Sequence, residues 1–337
     1  MSREALLYER LPDGEVRCGL CAHRCRIRPG RRGICGVREN RDGVLHSLVY
    51  GNLIAENLDP IEKKPLFHVY PGSRAFSVAT VGCNFRCTFC QNHDISQMPR
   101  EAGDVLGRPV APERVVIAAA ETGSRTIAYT YTEPTVFFEY ALDIAKLAHG
   151  RGIGNVFVTN GYMTAETVAT VAPYLLAANV DLKSFRDEFY REQCGARLHP
   201  VLDSLRALKA AGVWVEVTTL LIPGLNESEE ELREIARFIH GLGPETPWHI
   251  SRFHPQFRMR TTPQTPPQAI RRAADVGRAE GLRYVYSGNL PGDEGEKTFC
   301  HDCGHLLIDR FGYTIRGVDL DGARCPRCRT PLAGVFS

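Results

Sequence analysis

Eleven of the twelve cysteines in this 337-residue chain fall in three closely spaced groups. The first group is Cys18, Cys21, Cys25 and Cys35, the second is Cys83, Cys87 and Cys90, and the third is Cys300, Cys303, Cys325 and Cys328. In a compartment that keeps thiols reduced, such spacing indicates metal binding rather than disulfides. The twelfth cysteine, Cys194, stands alone, and we interpret it as a buried structural thiol.

The second group has the spacing of a catalytic metal site. It has the form Cys-x3-Cys-x2-Cys and directly follows the β-rich run AFSVAT (75–80), which places the cysteines on the loop after a strand. Three thiolates are too few for a closed structural zinc site, which takes four ligands. A cubane iron–sulfur cluster usually takes four cysteines, so three leave one iron with an open position. The pattern therefore predicts a catalytic [4Fe-4S] cluster.

The third group has the spacing of a zinc ribbon, with two Cys-x2-Cys pairs. The segment that holds it has about forty residues, near the size below which a domain needs a metal or a disulfide to fold. We therefore predict a structural zinc bound by all four cysteines. A redox-active site or a second iron–sulfur cluster is the alternative.

The first group can also supply four ligands to one centre, and its spacing suits both zinc and an auxiliary [4Fe-4S] cluster. We favour zinc slightly, with His23 as a substitute ligand. Residues 17–41 also carry eight arginines against one acidic residue, Glu39. They form either a solvated face that offsets the thiolates or a grip for an anionic partner, such as a phosphate-bearing substrate or RNA.

Composition excludes several other classes of protein. The net charge is 41 − 39 = +2, too small for the whole chain to act as a polyanion binder. Hydrophobic residues make up 43% and charged residues 24%, as in a folded soluble protein. No apolar run approaches the ~18 residues of a membrane span, and MSREALLYERLPDGE has no signal-peptide core. We expect a cytoplasmic protein with no membrane partner.

Strand-like and helix-like segments alternate between the second and third groups. Strands are predicted at 75–80, 126–131, 155–160, 179–183, 214–222, 249–253 and 283–287, with helices at 112–122, 134–149, from Thr164, 200–211, 228–241 and 267–280. This order predicts an α/β core with a parallel sheet, closed or partly closed into a barrel, and function at the carboxyl ends of the strands. We divide the chain into a Cys-rich metal-binding segment (1–74), a (β/α) core (75–290) and a zinc-ribbon-like domain (296–337).

The second group, with Phe89 before its last cysteine, resembles the motif of the radical S-adenosylmethionine (SAM) enzymes. The chain is similar to the pyruvate formate-lyase activating enzymes. It most resembles the AmmeMemoRadiSam system radical SAM enzymes, through DPIEKKPLFHVYPGS (59–73) and CQNHDIS (90–96), and this resemblance extends over essentially the full chain. It implies a partial (β/α)6-type TIM barrel in which a reduced [4Fe-4S] cluster cleaves SAM to a 5′-deoxyadenosyl radical that abstracts hydrogen from an unidentified substrate.

The resemblance also implies cofactor-binding residues just past successive strands. Glu133 would accept the methionine ammonium, beside Thr132, which replaces a family glycine. Thr159 and Asn160 would lie near the carboxylate end, and Lys183 would contact the carboxylate. Thr218 and His254 would lie around the ribose and adenine. Thr159 and Asp181 are the candidates for a monovalent-cation site, although Val158 stands where the activating enzymes often have aspartate.

Three functions compete on these grounds. The leading one is a radical SAM enzyme of the AmmeMemoRadiSam type, with a flavodoxin- or ferredoxin-like electron donor and Memo-type and AMMECR-type partner proteins. The second is a glycyl-radical enzyme activase. The third is a non-catalytic, zinc-organised module that binds RNA or protein, which would be favoured by loss of a cluster cysteine or of Glu133, and neither is missing.

Overall fold

Short antiparallel strands form the N-terminal part of the structure. The computed structural model describes residues 2–336. The first strands are β1 (Arg3–Glu4), β2 (Tyr8–Arg10), β3 (Val16–Cys18), β4 (Arg26–Ile27), β5 (Arg38–Arg41), β6 (Val44–Ser47) and β7 (Asn52–Leu53). β3 lies between β2 and β4, and β6 lies between β1 and β5. Because Cys18 ends β3 and Cys35 lies shortly before β5, these two small sheets carry the first cysteine group.

One open sheet of eight strands forms the centre of the molecule. The next strands along the chain are β8 (Ala55–Pro60), β9 (Arg74–Ala79), β10 (Arg108–Pro109), β11 (Thr126–Tyr129), β12 (Gly154–Thr159), β13 (Ala177–Asp181), β14 (Trp214–Leu221), β15 (Trp248–Arg252) and β16 (Val285–Gly288). The sheet order is β16-β15-β14-β13-β12-β11-β9-β8, and β10 pairs with β7 outside it. The seven strands from β9 to β16 are mutually parallel, while β8 runs antiparallel to β9.

Helices connect the parallel strands. They are α1 (His93–Ser96), α2 (Met98–Glu101), α3 (Pro112–Glu121), α4 (Phe138–His149), α5 (Ala165–Val171), α6 (Asp187–Phe189), α7 (His199–Ala210), α8 (Glu229–Leu242) and α9 (Pro267–Ala279). Short 3-10 turns cover Pro12–Gly14, Ile61–Lys63, Pro134–Phe137, Ala172–Tyr174 and Glu294–Glu296, and a π-helical turn covers Tyr190–Cys194. Local sequence sets several helix starts: the Thr164 and Ser228 side chains accept hydrogen bonds from backbone N–H groups as N-caps of α5 and α8.

The core is α/β with parallel strands, as predicted, and its sheet is open. The edge strands β8 and β16 are not paired with each other within residues 2–336, so no barrel closes, and the sheet has seven parallel strands rather than the six of a (β/α)6-type barrel. The seven predicted strands are all present, with ends within two residues of the prediction. Strand β8 was missed because its sequence AENLDP is polar and half-exposed, which hides the alternation typical of strands.

The C-terminal part is a small antiparallel sheet that packs against the amino ends of the parallel strands. It consists of β17 (Thr298–Phe299), β18 (Leu306–Phe311) and β19 (Thr314–Val318). A buried chain of hydrogen bonds joins it to the core: Arg310 Nη1 donates to Thr298 Oγ1 at 2.6 Å, which contacts the Tyr286 hydroxyl at 2.9 Å. Tyr286, like His249, lies near the start of its strand, so this contact is at the amino edge of the sheet.

No helix in residues 2–336 combines the length and the apolar character needed to cross a bilayer.

Candidate active site

The second cysteine group lies on the loop that follows β9, at the carboxyl edge of the parallel sheet. Cys87 is buried, and Cys83 and Cys90 are partly buried. The backbone N–H of Phe85 donates to Cys83 Sγ at 3.3 Å, and Cys90 Sγ lies 3.2 Å from Ser96 Oγ. The loop therefore turns three thiols into one partly enclosed space, and β9 fixes where that space lies.

Glu133 is the buried centre of the neighbouring polar network. Its side chain is fully buried and accepts from Thr135 Oγ1 at 2.6 Å, from Thr159 Oγ1 at 2.7 Å and from the Asn160 backbone N–H at 2.8 Å. Burial raises the pKa of Glu133, and these hydrogen bonds oppose that rise. The carboxylate has several donors but no cationic side chain among the groups that shift its pKa.

Asn160 connects this carboxylate to the cysteine loop. Its backbone N–H donates to Glu133, while its side-chain Nδ2 donates to Asn84 Oδ1 at 2.7 Å and lies 3.8 Å from Cys83 Sγ. The ends of β11 and β12 are adjacent in the sheet, so they bring Glu133, Thr159 and Asn160 together as the sequence predicted. Thr132 lies beside them in the chain, but its hydroxyl donates to the Thr80 carbonyl, directly after β9, at 2.8 Å.

Asp181 and Lys183 form an ion pair at the end of β13. Lys183 Nζ lies 2.9 Å from Asp181 Oδ2, and the Lys183 side chain is 12% exposed. Burial lowers the pKa of Lys183, but Asp181 and the thiols of Cys87 and Cys194 outweigh it, so the pKa is raised well above its usual value. Lys183 is therefore a fixed positive charge beside the cysteine loop. Asp181 is occupied by this pair, and no contact joins it to Thr159 in the hydrogen bonds of the described residues.

The last two predicted residues are separate from this network. Thr218 Oγ1 donates to Asn179 Oδ1 at 2.8 Å inside the sheet, so its hydroxyl is occupied within the core. His254 follows β15 at the correct edge but is exposed, and its ring lies 2.6 Å from Gln264 Nε2. The structure places neither residue in contact with Glu133 or with the three cysteines.

Two residues at the site were not assigned to it from the sequence. Cys194, interpreted as a buried structural thiol, is buried and lies against Cys87, and this contact is the largest cause of the raised pKa of Cys87. The π-helical turn that ends at Cys194 brings this thiol to the cysteine loop, and no sequence pattern predicted that turn. Asn84 is buried, and its Nδ2 has no hydrogen-bond partner. Its position directly after Cys83 was the available signal.

The three thiols suit a cluster better than a single metal ion. Burial, Glu133 and Cys87 raise the pKa of Cys83, so ionising the three thiols together requires a compensating positive charge such as iron. In residues 2–336, only the third cysteine group brings three or more metal-ligating atoms within 4.8 Å of one another. Cysteines that each bind a different iron of one cluster lie further apart than the ligands of one ion.

The third group has the opposite geometry. The Sγ atoms of Cys300 and Cys328 are 3.5 Å apart, and those of Cys303 and Cys325 are 3.7 Å apart. A tetrahedral ion with metal–sulfur bonds of about 2.3 Å would place its sulfurs about 3.8 Å apart. The four thiols therefore surround the space of one small metal ion, in the turns of the C-terminal sheet and away from the carboxyl edge.

The first group packs onto the same edge as the second. The Ala22 N–H donates to the Tyr162 carbonyl, and the Thr164 N–H donates to the Leu20 carbonyl, both just after β12. Its four cysteines line one cavity, which Asn84 also borders. His23, the proposed substitute ligand, lies in the cavity wall and has Nε2 2.9 Å from the Asn84 carbonyl.

Most of the nearby arginines are paired within the protein. Seven of the eight form ion pairs with glutamates, namely Arg17, Arg24, Arg26, Arg28, Arg32, Arg38 and Arg41. Much of the +7 charge seen in the sequence is thus offset by acids from other segments, such as Glu15, Glu139 and Glu166.

Comparisons with known proteins agree with this geometry. Residues 77–239 match the family model of the Radical SAM superfamily. The uncharacterized protein MJ0808 of Methanocaldococcus jannaschii is 44% identical over 97% of both chains. GTP 3′,8-cyclase of Rhodopseudomonas palustris is 30% identical over 48% of this chain and 47% of its own, so the chain spans about half of that relative. The pyruvate formate-lyase-activating enzyme of Clostridium pasteurianum is 25% identical over 51% of this chain and 71% of its own.

A solved structure shows the same fold. The radical SAM methyltransferase from Sphaerobacter thermophilus superposes with a TM-score of 0.51 at 19% identity, covering 70% of this chain and 71% of that one.

Proposed function

Because residues 77–239 match the Radical SAM superfamily model, we propose that the chain is a radical SAM enzyme, that Cys83, Cys87 and Cys90 hold a [4Fe-4S] cluster and that the polar network around Glu133 holds SAM beside it. When bound, the cluster and SAM supply reductive cleavage of the sulfonium carbon–sulfur bond and thus a radical that abstracts hydrogen from a substrate.

The observation that carries this proposal is the state of Glu133. A fully buried carboxylate with no cationic neighbour is unfavourable unless a cation joins it. The ammonium group of a methionine moiety is such a cation, and its three N–H donors suit a carboxylate that Thr159 and Asn160 already orient. Since Asn160 also approaches Cys83, an ammonium on Glu133 would be next to the cysteine loop.

Lys183 supports the same orientation. Its positive charge lies by Cys87, on a different strand end from Glu133, and is suited to the carboxylate of the methionine moiety. Glu133 and Lys183 would therefore read opposite charges of one amino-acid group, which fixes its direction. Thr218 and His254, which were predicted to lie around the ribose and adenine, hydrogen-bond to Asn179 and Gln264 respectively.

A spectroscopic titration tests the proposal. In the reduced, iron-loaded protein, we expect SAM to change the electron paramagnetic resonance spectrum of the cluster and adenosine, which lacks the methionine moiety, to leave it unchanged. Replacing Cys87 with alanine should remove the responding signal. Equal responses to SAM and adenosine, or an unaltered signal in Cys87→Ala, would refute the assignment of this site.

The substrate class is the finer part of the proposal. We infer an enzyme of the AmmeMemoRadiSam type that works with Memo-type and AMMECR-type partner proteins and receives electrons from a flavodoxin- or ferredoxin-like donor. The presence of one cysteine group before the core and another after it supports this version. The similarity to a pyruvate formate-lyase-activating enzyme favours a second candidate, an activase that abstracts hydrogen from a partner's glycine. Formation of a glycyl radical on a partner would select the activase.

We further propose zinc at the third cysteine group. The sulfur separations of 3.5 and 3.7 Å support it, since they are those of one tetrahedral ion. Metal analysis should find zinc that is lost when Cys325 is replaced by serine, while iron at that group would contradict the assignment.

We also propose a reducing, cytoplasmic location. All twelve cysteines are free, which supports it.

A further inference from the structure

The first cysteine group surrounds a cavity rather than the position of a single ion. Cys18, Cys21, Cys25 and Cys35 line one small cavity of about 20 Å³ that is partly open to solvent. Half of the eight other lining side chains are apolar, namely Leu20, Ile27, Ile34 and Val136. Four thiols around a partly enclosed space are a setting in which inorganic clusters are held, since iron–sulfur clusters take four cysteines.

The separation of the sulfurs distinguishes this cavity from the third group. A single zinc ion would draw its four sulfurs to about 3.8 Å from one another. The third group shows that spacing, whereas within residues 2–336 no three sulfurs of the first group lie within 4.8 Å of one another. The four thiols therefore converge on something larger than one ion.

The cavity wall also contains two buried N–H donors without partners. Arg38 is 2% exposed and Asn84 is 1% exposed, and both line the cavity. Arg38 Nε and Asn84 Nδ2 are buried and have no hydrogen-bond acceptor among the described residues. An unpaired buried donor is costly, so each requires an acceptor that the protein does not supply. Sulfide and thiolate sulfurs of a cluster accept such hydrogen bonds.

Charge points the same way. Arg38 is held in place by Glu139, with its Nη1 2.9 and 3.0 Å from the two carboxylate oxygens. Because Glu139 already neutralises Arg38, the available positive charge is that of Arg100, which lies near Cys35 and Cys83 and forms no ion pair in residues 2–336. Arg100 would offset part of the negative charge of a cluster with four thiolates.

The cavity is adjacent to the candidate active site. Asn84 borders it and directly follows Cys83, and Thr135 borders it and donates to Glu133. A Cβ atom at Gly82 would lie 3.1 Å from the Cys35 carbonyl oxygen. The backbones that carry Cys35 and Cys83 are thus in direct contact.

From these observations we propose that Cys18, Cys21, Cys25 and Cys35 bind a second iron–sulfur cluster, not zinc, close enough to the Cys83 loop to exchange single electrons with a cluster there. In such an exchange one cluster is oxidised by one electron and the other is reduced by one, with no bond made or broken. The identity of the metal does not depend on the proposed function of the Cys83 site, while the electron exchange does.

The test removes the other cluster site. In Cys83→Ala/Cys87→Ala/Cys90→Ala, reconstituted with iron and sulfide, we expect about two or about four iron atoms per chain with equal inorganic sulfide, according to cluster type. Adding Cys35→Ser should abolish that iron, whereas adding Cys194→Ser, a buried cysteine outside the first group, should leave it. A variant with two zinc ions and no iron would overturn the proposal.

The unaltered protein gives the same answer if the multiple variants do not fold. We expect one zinc ion per chain. We also expect more iron than a single cubane cluster holds, which is about four atoms. Two zinc ions with only about four iron atoms would overturn the proposal. If iron is present in both sites but the two reduced clusters show no magnetic interaction in their electron paramagnetic resonance spectra, the electron exchange is refuted and the metal assignment stands.

Discussion

At the scale of single residues, the site is organised by a carboxylate that the protein solvates with neutral donors only. Thr135, Thr159 and the Asn160 backbone occupy the oxygens of Glu133, so its position is fixed before any ligand arrives. A preorganised anion of this kind binds a cation without reorganisation, which is the physical basis for our proposal that Glu133 binds the ammonium group of SAM.

Replacing Glu133 with glutamine tests this role. The amide keeps the size of the side chain but removes the charge, and hydrogen bonds to charged groups contribute about 1.5–3 kcal/mol. We therefore expect SAM affinity to fall by about 10- to 100-fold, while the iron content of the Cys83 site stays the same. Equilibrium binding of radiolabelled SAM measures it. Glu166→Gln, at an exposed ion pair with Arg24, is the matched control, and an unchanged affinity in Glu133→Gln would contradict the role.

The same carboxylate predicts a pH dependence. Because burial raises the pKa of Glu133, protonation begins at a higher pH than for an ordinary glutamate. The ammonium needs the ionised form, so SAM affinity should fall as pH is lowered through this raised pKa. In Glu133→Gln that fall should be absent, and a persisting fall would assign it to another group.

At the scale of elements, the sequence predicted the parallel strands better than the segments around them. Strands β9 and β11 to β16 are short apolar runs between helical patterns. Because such strands are buried on both faces, their sequences are almost continuously apolar and can be predicted as strands. The ends of these strands placed Glu133, Thr159 and Asn160 correctly, because carboxyl ends of parallel strands meet at one edge.

Contacts between distant segments could not be predicted in this way. Nothing in the spacing of the first cysteine group shows that it packs on the loop after β12, or that Cys194 reaches Cys87. His254 follows β15 at the carboxyl edge, whereas Thr218 lies within β14, and their side-chain contacts are with Asn179 and Gln264, which the pattern around each residue does not reveal.

Gly82 provides a test of the contact between the N-terminal segment and the cysteine loop. Its φ is +98°, and a Cβ atom there would lie 2.7 Å from Val37 Cγ1. Gly212 has a φ of +80°, but a Cβ atom there would meet nothing within 4 Å, so it shares the backbone strain without the contact. Overpacking costs about 1–3 kcal/mol. We expect Gly82→Ala to lower the free energy of unfolding by that much more than Gly212→Ala, as measured by chemical denaturation. Equal losses would show that the two segments do not press together here.

At the scale of the whole molecule, the two ends of the parallel sheet have different tasks. The carboxyl edge carries Glu133 and the Cys83 loop, and the N-terminal segment covers it. The amino edge carries a buried polar cluster, in which Glu216 contacts His249 at 2.6 Å and accepts from the His68 N–H at 2.9 Å. The C-terminal sheet with the third cysteine group is attached there, so the metal proposed for that group would be bound away from the carboxyl edge.

His68 makes this attachment sensitive to acid. Its Nδ1 lies 2.6 Å from the Ala333 carbonyl and its Nε2 lies 2.6 Å from the Tyr286 hydroxyl, which fixes a neutral ring with the proton on Nδ1. Burial lowers the pKa of His68 to about 4. The unfolded chain therefore binds a proton that the folded chain does not, and stability is lost as pH falls from about 6.5 towards about 4.

Substituting His68 with glutamine should reduce this acid sensitivity. The shift corresponds to about 3 kcal/mol of pH-dependent stability at about 1.4 kcal/mol per pH unit. We expect the difference in free energy of unfolding between wild type and His68→Gln to shrink by about that amount between pH 6.5 and pH 4. The neighbouring Glu216 is present in both proteins, so its contribution largely cancels in this difference. Parallel pH curves for the two proteins would contradict the prediction.

The central claim, that this chain generates a radical from SAM, is tested most directly by 5′-deoxyadenosine formation. Protein reconstituted anaerobically with iron and sulfide would be given SAM and dithionite, and the product would be measured by chromatography and mass spectrometry. Cys87→Ala should form none, whereas Thr88→Ala, on the same loop with its hydroxyl bonded to Gln193, should retain it. Product in the wild type that disappears in Cys87→Ala is the predicted result. Iron-loaded, SAM-binding wild type that forms no product, or Cys87→Ala that forms as much as wild type, would contradict the account.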